Sequence, residues 1–309
     1  MVLGCNTYIK ECLRRIEALL PDGEFLHTKR TPLPEGEHPE LDDSPLLDAS
    51  GRQRYQMLIG MAQWATTIGR LDISFAVSSL SRFSAAPRER HLELALYLFG
   101  YLKQYPNRRL VLDSRPLLTV DEALKTDSFH PDFLEDYPDA KEDVDPDLPT
   151  AYGVELESSI FFDADHAHDK VTRHSITGLI VFVGCTPVLW MSRRQGCIAT
   201  STYCAEFMAM RSAVEEAISV RYMLCCLGVP VLKPTQLYGD NASVIQNASI
   251  PHSDLKKKHI AISYHYVREA VAAKIVNVHW VKTNENWADT CTKALGKNIF
   301  HELVRDVMA

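Results

Sequence analysis

The chain has 309 residues, 46% hydrophobic and 24% charged, enough for one or two globular domains with a sizeable buried core. Its formal net charge of -7 excludes a uniformly basic nucleic-acid-binding surface, although the basic residues are unevenly spread. No apolar run approaches the roughly 20 residues that cross a bilayer, no secretory signal pattern follows Met1, and the eight cysteines include no CxxC pair, so a soluble intracellular protein with free thiols is expected.

In chain order, Asn6 to Leu20 repeats apolar residues at helical spacing (Tyr8, Ile9, Cys12, Leu13, Ile16) and stops at Pro21, Asp22 and Gly23. Pro32, Pro34, Pro39 and Pro45, with acids between them, mark an extended connector. Three helical tracts follow, Tyr55 to Ile68, Ile73 to Phe83 and Pro87 to Tyr101, the last with its proline suited to a first helical turn. From Val120 to Thr150 acids crowd together with four prolines, which predicts a self-repelling linker or insertion. Its spacing lacks the central glycine and terminal glutamate of an EF-hand, which argues against calcium.

Beyond the acidic stretch strands and helices alternate. Strands are predicted at Ser158 to Ala164, Gly178 to Val183 and Val188 to Ser192, joined as an antiparallel meander. A long helix from Ser201 to Leu227 follows, then a strand at Thr235 to Tyr238, a short helix at Asn241 to Ala248, a helix ending at Ala273, a strand at Ile275 to Val281, and a last helix within Asn286 to Leu295 that starts near Asp289. The order β-β-β-α-β-α-β-α makes an α/β fold, a mixed sheet flanked by helices.

The run SSIFFDAD places Asp163 after three buried-type residues, where a carboxylate is costly to desolvate unless a cation or hydrogen bonds meet it. Glu206, Asp240 and Asp289 occupy equivalent junctions between strands and helices, where sites in open α/β sheets collect. Together the four carboxylates can hold two divalent ions around a phosphate, and hard oxygen ligands suit magnesium or manganese. Each acid taken singly is more ordinarily a helix cap. His166 and His168, beside Asp163, Asp165 and Asp169, offer a transition-metal alternative, with solvated loop histidines as the plainer reading. Arg173, His174, Arg193, Arg194, the run Lys256, Lys257, Lys258 and His259, and His265 and Arg268 are candidate contacts to a nucleic-acid backbone, although a solvated basic face is the simpler account of such a set.

The segments FFDADHAHD, STYCAEFMAM, LYGDNASVIQN, LKKKHIAISYHYVREAV and WADTCTKAL resemble the RNase H domain of copia-type LTR retrotransposon polyproteins. Upstream, YQMLIGMAQWATTIGRLDISFAVSSLSRF and HLELALYLFGYLK are similar to the segment joining reverse transcriptase to that domain. The resemblance implies an RNase H-like fold, with a mixed five-stranded sheet flanked by helices and preceded by a small helical connection region. It divides the chain into a polymerase-tail helix and proline-rich connector (1–50), a helical connection segment (51–112), an acidic linker (113–155), an RNase H-like domain (156–297) and a C-terminal helix or tail (298–309).

The implied activity is hydrolysis of the RNA strand of an RNA:DNA hybrid, with Asp163, Glu206, Asp240 and Asp289 both catalytic and ligands of two Mg2+ ions, Mn2+ being a substitute. The implied partners are the hybrid and the remainder of a reverse transcriptase polyprotein, with no membrane, in the cytoplasm (a virus-like particle) or the nucleus. The chain departs from the family pattern at Trp287 and Ala294, where leucine and proline are usual, and at Cys204, often a glutamate. Thr283, Asn284 and Glu285 stand where cellular enzymes carry a mobile histidine. No aromatic residue followed by any residue and two aspartates occurs, so polymerase activity is not expected of this chain. The alternative is a catalytically inactive remnant that binds nucleic acid or a protein partner.

Overall fold

The computed structural model describes residues 1–21, 25–117, 127–253 and 260–309. They form two compact units, the first comprising Met1–Leu112, Ala167–His174 and Thr290–Ala309, the second Asp113–His166 and Ser175–Asp289.

In the first unit, strand β1 (Val2–Gly4) pairs antiparallel with β2 (Arg109–Val111). Three-residue strands are too short to show alternation, so the sequence does not announce this small sheet. Helix α1 (Asn6–Glu17) buries Ile9, Cys12, Leu13 and Ile16, the stripe its spacing predicts. Helix α2 (Ala49–Thr67) begins a turn and a half before its predicted start, because the Asp48 carboxylate accepts the Gly51 N–H at 2.7 Å and caps the helix. Helices α3 (Ser74–Ser81) and α4 (Glu89–Gln104) complete the helical part. In the turn between α2 and α3 the fully buried Arg70 grips Asp72 with two hydrogen bonds of 2.8 and 2.7 Å, and Tyr101 on α4 donates its hydroxyl to the same carboxylate. Burial alone would raise the Asp72 carboxyl, but Arg70 outweighs it and holds the group below the usual range.

The second unit is built on the sheet. Strands β3 (Ser158–Asp165), β4 (Ile176–Val183) and β5 (Thr186–Arg194) form the predicted meander, each running one or two residues past its sequence bounds at one end or both. Gly184 turns β4 into β5 at φ +58°, with the carbonyls of Ser114 and Arg115 so close that a Cβ would meet them at 2.8 Å. Helix α6 (Thr202–Cys226), capped by Ser201, crosses to β6 (Thr235–Gly239), which lies parallel to β3. Helices α7 (Ala242–Ser249) and α8 (Ala261–Ala272) lead to β7 (Val276–Trp280), parallel to β6. The resulting order, β5-β4-β3-β6-β7, is the mixed five-stranded sheet of an RNase H-like fold.

Strand β3 is central and buried on both faces down to Ala164, which is why SSIFFDA reads as a continuous apolar run. Ala205, Ala209, Ala213 and Ala217 recur every four residues along α6 and are fully buried, letting the helix pack closely against β3. The described part of the acidic stretch, 113–117 and 127–155, lies in this unit. It contains a short helix, α5 (Phe133–Asp136), in chain order between β2 and β3; Phe133 is fully buried in the core, and Ser128 exchanges hydrogen bonds of 3.0 and 2.9 Å with the backbone of Val278. The predicted helix near Asp289 is instead a 3-10 turn, Trp287–Cys291, and the α-helix follows later as α9 (Lys297–Val307), in the first unit. Among the described residues no helix is long and apolar enough to cross a membrane.

Candidate metal centre

Asp163, Glu206 and Asp240 come together in the second unit: each offers one carboxylate oxygen, and the three oxygens lie within 4.8 Å of one another. Asp163 and Glu206 are buried, and Asp240 is partly exposed. Three carboxylates this close repel unless a cation or protons join them. An all-oxygen, all-anionic donor set suits a hard divalent cation and offers no soft ligand for zinc or copper. Among the described residues this is the only such group.

Sheet register delivers Asp163, which sits opposite Gly178 on β4, with Thr177 facing Ala164 one step along. The loop before α6 delivers Glu206. Gln195 donates its side-chain amide to the Thr177 hydroxyl at 3.0 Å and to the Ala205 carbonyl at 2.9 Å, tying the first turn of the helix to β4. Gly239 delivers Asp240: a Cβ there would meet the buried Phe162 ring at 2.4 Å, so only glycine brings β6 this close to the side chain beside Asp163. The Trp280 indole N–H then donates to the Asp240 carbonyl at 2.8 Å, and Asn241 caps the following helix α7. Sequence reading missed Gln195 and Trp280, whose partners are far away in the chain or on another element, and saw Gly239 only as the end of a strand.

Asp289 is buried in the turn after β7 and lies outside the group of three. Trp287, one of the departures from the family pattern, packs at a tilt against Phe161 and Phe182 with ring centroids 4.4 and 5.3 Å away, so its indole fills core space that a leucine would leave open. Cys204 is fully buried and takes part in the capping turn with Ser201.

The histidines of the HxH sequence separate. His166 belongs to the second unit and meets the Ala199 carbonyl at 3.1 Å, whereas His168 belongs to the first and packs between His38 and Phe75. Asp169, in the first unit, accepts the backbone N–H of Val171 and Thr172 and pairs with Arg82. Burial would raise its carboxyl, but the Thr172 N–H and Arg82 outweigh that and hold it below the usual range.

The expected nucleic-acid contacts divide in the same way. Arg173 and His174 lie in the first unit, Arg173 exposed at φ +61°. Arg193 and Arg194 are exposed at the end of β5, where with Arg211, Ile198 and Met208 they line a cavity of about 510 Å3 in the second unit. Lys256, Lys257, Lys258 and His259 lie outside the described residues. His265 is exposed and bonded to the Tyr137 hydroxyl at 2.7 Å. Arg268 is buried: Nη1 donates to the carbonyls of Asn247 and Ile250 and to the Ser253 hydroxyl, Nη2 to the Pro251 carbonyl, and the guanidinium stacks between Phe133 and Tyr264. Both Nη groups are bonded to the protein and the side chain is buried, which removes Arg268 from the set of substrate contacts. The α-helical spacing of YHYVREAV does not show which turn faces the core.

No family model matches the chain. It is 27% identical over 294 residues to the retrovirus-related Pol polyprotein from transposon RE1 of Arabidopsis thaliana, covering 95% of this chain and 17% of that polyprotein. It is 28% identical over 254 residues to the corresponding polyprotein from transposon TNT 1-94 of Nicotiana tabacum, covering 82% and 16%. The chain thus spans about a sixth of the length of these relatives. Among solved structures, the N-terminal RNase H domain of rv2228c from Mycobacterium tuberculosis aligns with 49% of this chain and 98% of its own at 13% identity and a TM-score of 0.35. The strand order, rather than that score, identifies the fold. By sequence the chain is a relative of the Pol polyproteins of copia-type retrotransposons, and its second unit has the RNase H-like fold.

Proposed function

We propose that the second unit is an RNase H-type endonuclease that hydrolyses the RNA strand of an RNA:DNA hybrid with two divalent ions. The observation that carries this reading is the convergence of Asp163, Glu206 and Asp240 at the junctions of β3, α6 and β6. Three such oxygens are the nucleus of one hard-cation site, and Asp163 together with Asp289, whose turn is tied to the Phe162 carbonyl through Asn286, would supply acids for a second. When bound, a pair of Mg2+ ions would supply Lewis acidity toward the phosphodiester and its attacking water.

The chain's own groups do the rest. Sheet register fixes Asp163, Gln195 restrains the turn that carries Glu206, and Trp280 fixes the backbone of Asp240. Fixed charge of this kind costs no reorganisation when the substrate arrives. Arg193 and Arg194 offer exposed cations to phosphates of the duplex. The substrate class follows from the resemblance of the acidic segments to copia-type RNase H domains, and a retroelement polyprotein is the setting in which such an activity removes copied RNA.

The test is strand and duplex preference. Full-length chain incubated with Mg2+ and end-labelled RNA:DNA, RNA:RNA or DNA:DNA duplexes should cut the RNA strand of the hybrid alone, and EDTA should stop it. Cutting of all three duplexes, or of none at any divalent ion, refutes the reading.

A further inference from the structure

The turn that carries Asp289 is pinned by one buried amide. Asn286 is fully buried. Its Nδ2–H donates at 2.9 Å to the carbonyl of Phe162, the residue immediately before Asp163 on β3. Its Oδ1 accepts the Ala288 N–H at 3.2 Å, and its own carbonyl accepts the Asp289 N–H at 3.1 Å. One side chain therefore shapes the turn and anchors it to the backbone next to the first metal-site carboxylate. Trp287 packs the same turn against Phe161, so the anchor lies against a close-packed core rather than in water.

The chemistry of the site selects asparagine. The position needs a donor at one end for a carbonyl and an acceptor at the other for an N–H, both on a short planar group. Aspartate has no donor, alanine has neither, and glutamine is one methylene too long for a fully buried site. A neutral group also adds no charge beside the carboxylates.

We propose that Asn286 is a positioning residue that sets Asp289 relative to Asp163 and so governs the ion that depends on Asp289, leaving the ion of the Asp163, Glu206 and Asp240 group unaffected. This rests on the two-ion reading above. Groups that orient metal-binding carboxylates typically control affinity or activity by about 10- to 100-fold.

The test is a Mn2+ titration of the full chain by calorimetry, beside single-turnover and steady-state cleavage of hybrid. With Asn286→Ala one binding event should weaken by about 10- to 100-fold while the other stays within about twofold; kcat should fall by a similar factor and KM for hybrid should hardly move, since no phosphate contact is lost. Asn286→Asp is the second variant, nearly isosteric and still able to accept from Ala288. Its added negative charge favours cations, so a weakened event there can come only from the lost anchor. Rescue by shape is excluded if both variants behave alike, which supports the assignment.

Two unchanged binding events in either folded variant, or equal weakening of the two binding events within one variant, overturns it. A chain that binds two ions yet cuts no hybrid defeats the proposed reaction, while the titration still decides the role of Asn286. A chain that binds a single ion defeats both.

Discussion

Arg268→Met should unfold the second unit far more easily without directly weakening its grip on substrate. The guanidinium holds the segment after α7 through the Asn247 and Ile250 carbonyls at 3.0 and 2.7 Å, the Ser253 hydroxyl at 2.8 Å and the Pro251 carbonyl, while its faces lie 4.9 Å from the ring centres of Phe133 and Tyr264. Methionine retains much of the apolar stem, so the change isolates the polar part. A hydrogen bond from a charged donor contributes about 1.5–3 kcal/mol net, and four of them set an upper bound of about 6–12 kcal/mol. Ile250 is half exposed, so its neighbourhood regains water on truncation, and a loss of about 3–5 kcal/mol is the expected outcome. The assay is urea unfolding followed by tryptophan fluorescence, since Trp190, Trp280 and Trp287 all belong to this unit. A loss below about 1 kcal/mol, accompanied by weaker hybrid binding at low urea, would refute the structural role and return Arg268 to the substrate contacts suggested by its place in a basic segment.

Three further outcomes follow from the same geometry. Asp163→Asn should raise the melting temperature of the chain in EDTA, because pairs of carboxylates within 4.8 Å repel by about 3 kcal/mol at an effective dielectric of about 20, and it should abolish the rise that Mg2+ gives the unaltered chain, as read by differential scanning fluorimetry. Arg193→Ala and Arg194→Ala should each lower the slope of log affinity for hybrid against log salt by about 1, as expected for loss of one phosphate contact, with little change in stability. In the first unit, burial and then the adjacent Arg108 hold His301 below its ordinary 6.5, and its Nδ1 accepts from Arg108 Nη2 at 2.7 Å. Its folded form thus favours the neutral ring, the stabilisation is fully present above pH about 6.5, and it is lost as pH falls from there toward the lower folded value. His301→Gln should flatten the melting temperature of this unit across that window, and an unchanged pH profile would refute the contact.

The sheet and the first carboxylate of the acidic group were legible because the physics is local. A strand buried on both faces must read as a continuous apolar run, and Asp163 breaks that run where a charge is costly, so SSIFFDAD marks both an element and a site. Asp240 was legible for a related reason, since a Gly-Asp pair after LY ends a strand at a turn. The 3-10 turn around Asp289 was not: Asn286 and Trp287 shape it through contacts with Phe162 and Phe161, about 125 residues away, and no spacing rule reaches that far. Phe133 was hidden for the opposite reason, a single core side chain among acids leaving no periodic signal. Arg268 shows the limit of composition, because a basic residue in a basic segment reads as surface whichever way its turn faces.

The measurement that bears hardest on the proposed nuclease is single-turnover cleavage of an RNA:DNA hybrid in Mg2+ by the full chain and by Asp163→Asn, side by side. Removing a carboxylate that holds the ions forfeits several kcal/mol of transition-state stabilisation, so a loss of about 1,000-fold or more in the RNA-strand cutting rate is predicted, with hybrid binding retained. Equal rates for the two proteins, or no cutting by either while hybrid is bound, would contradict it.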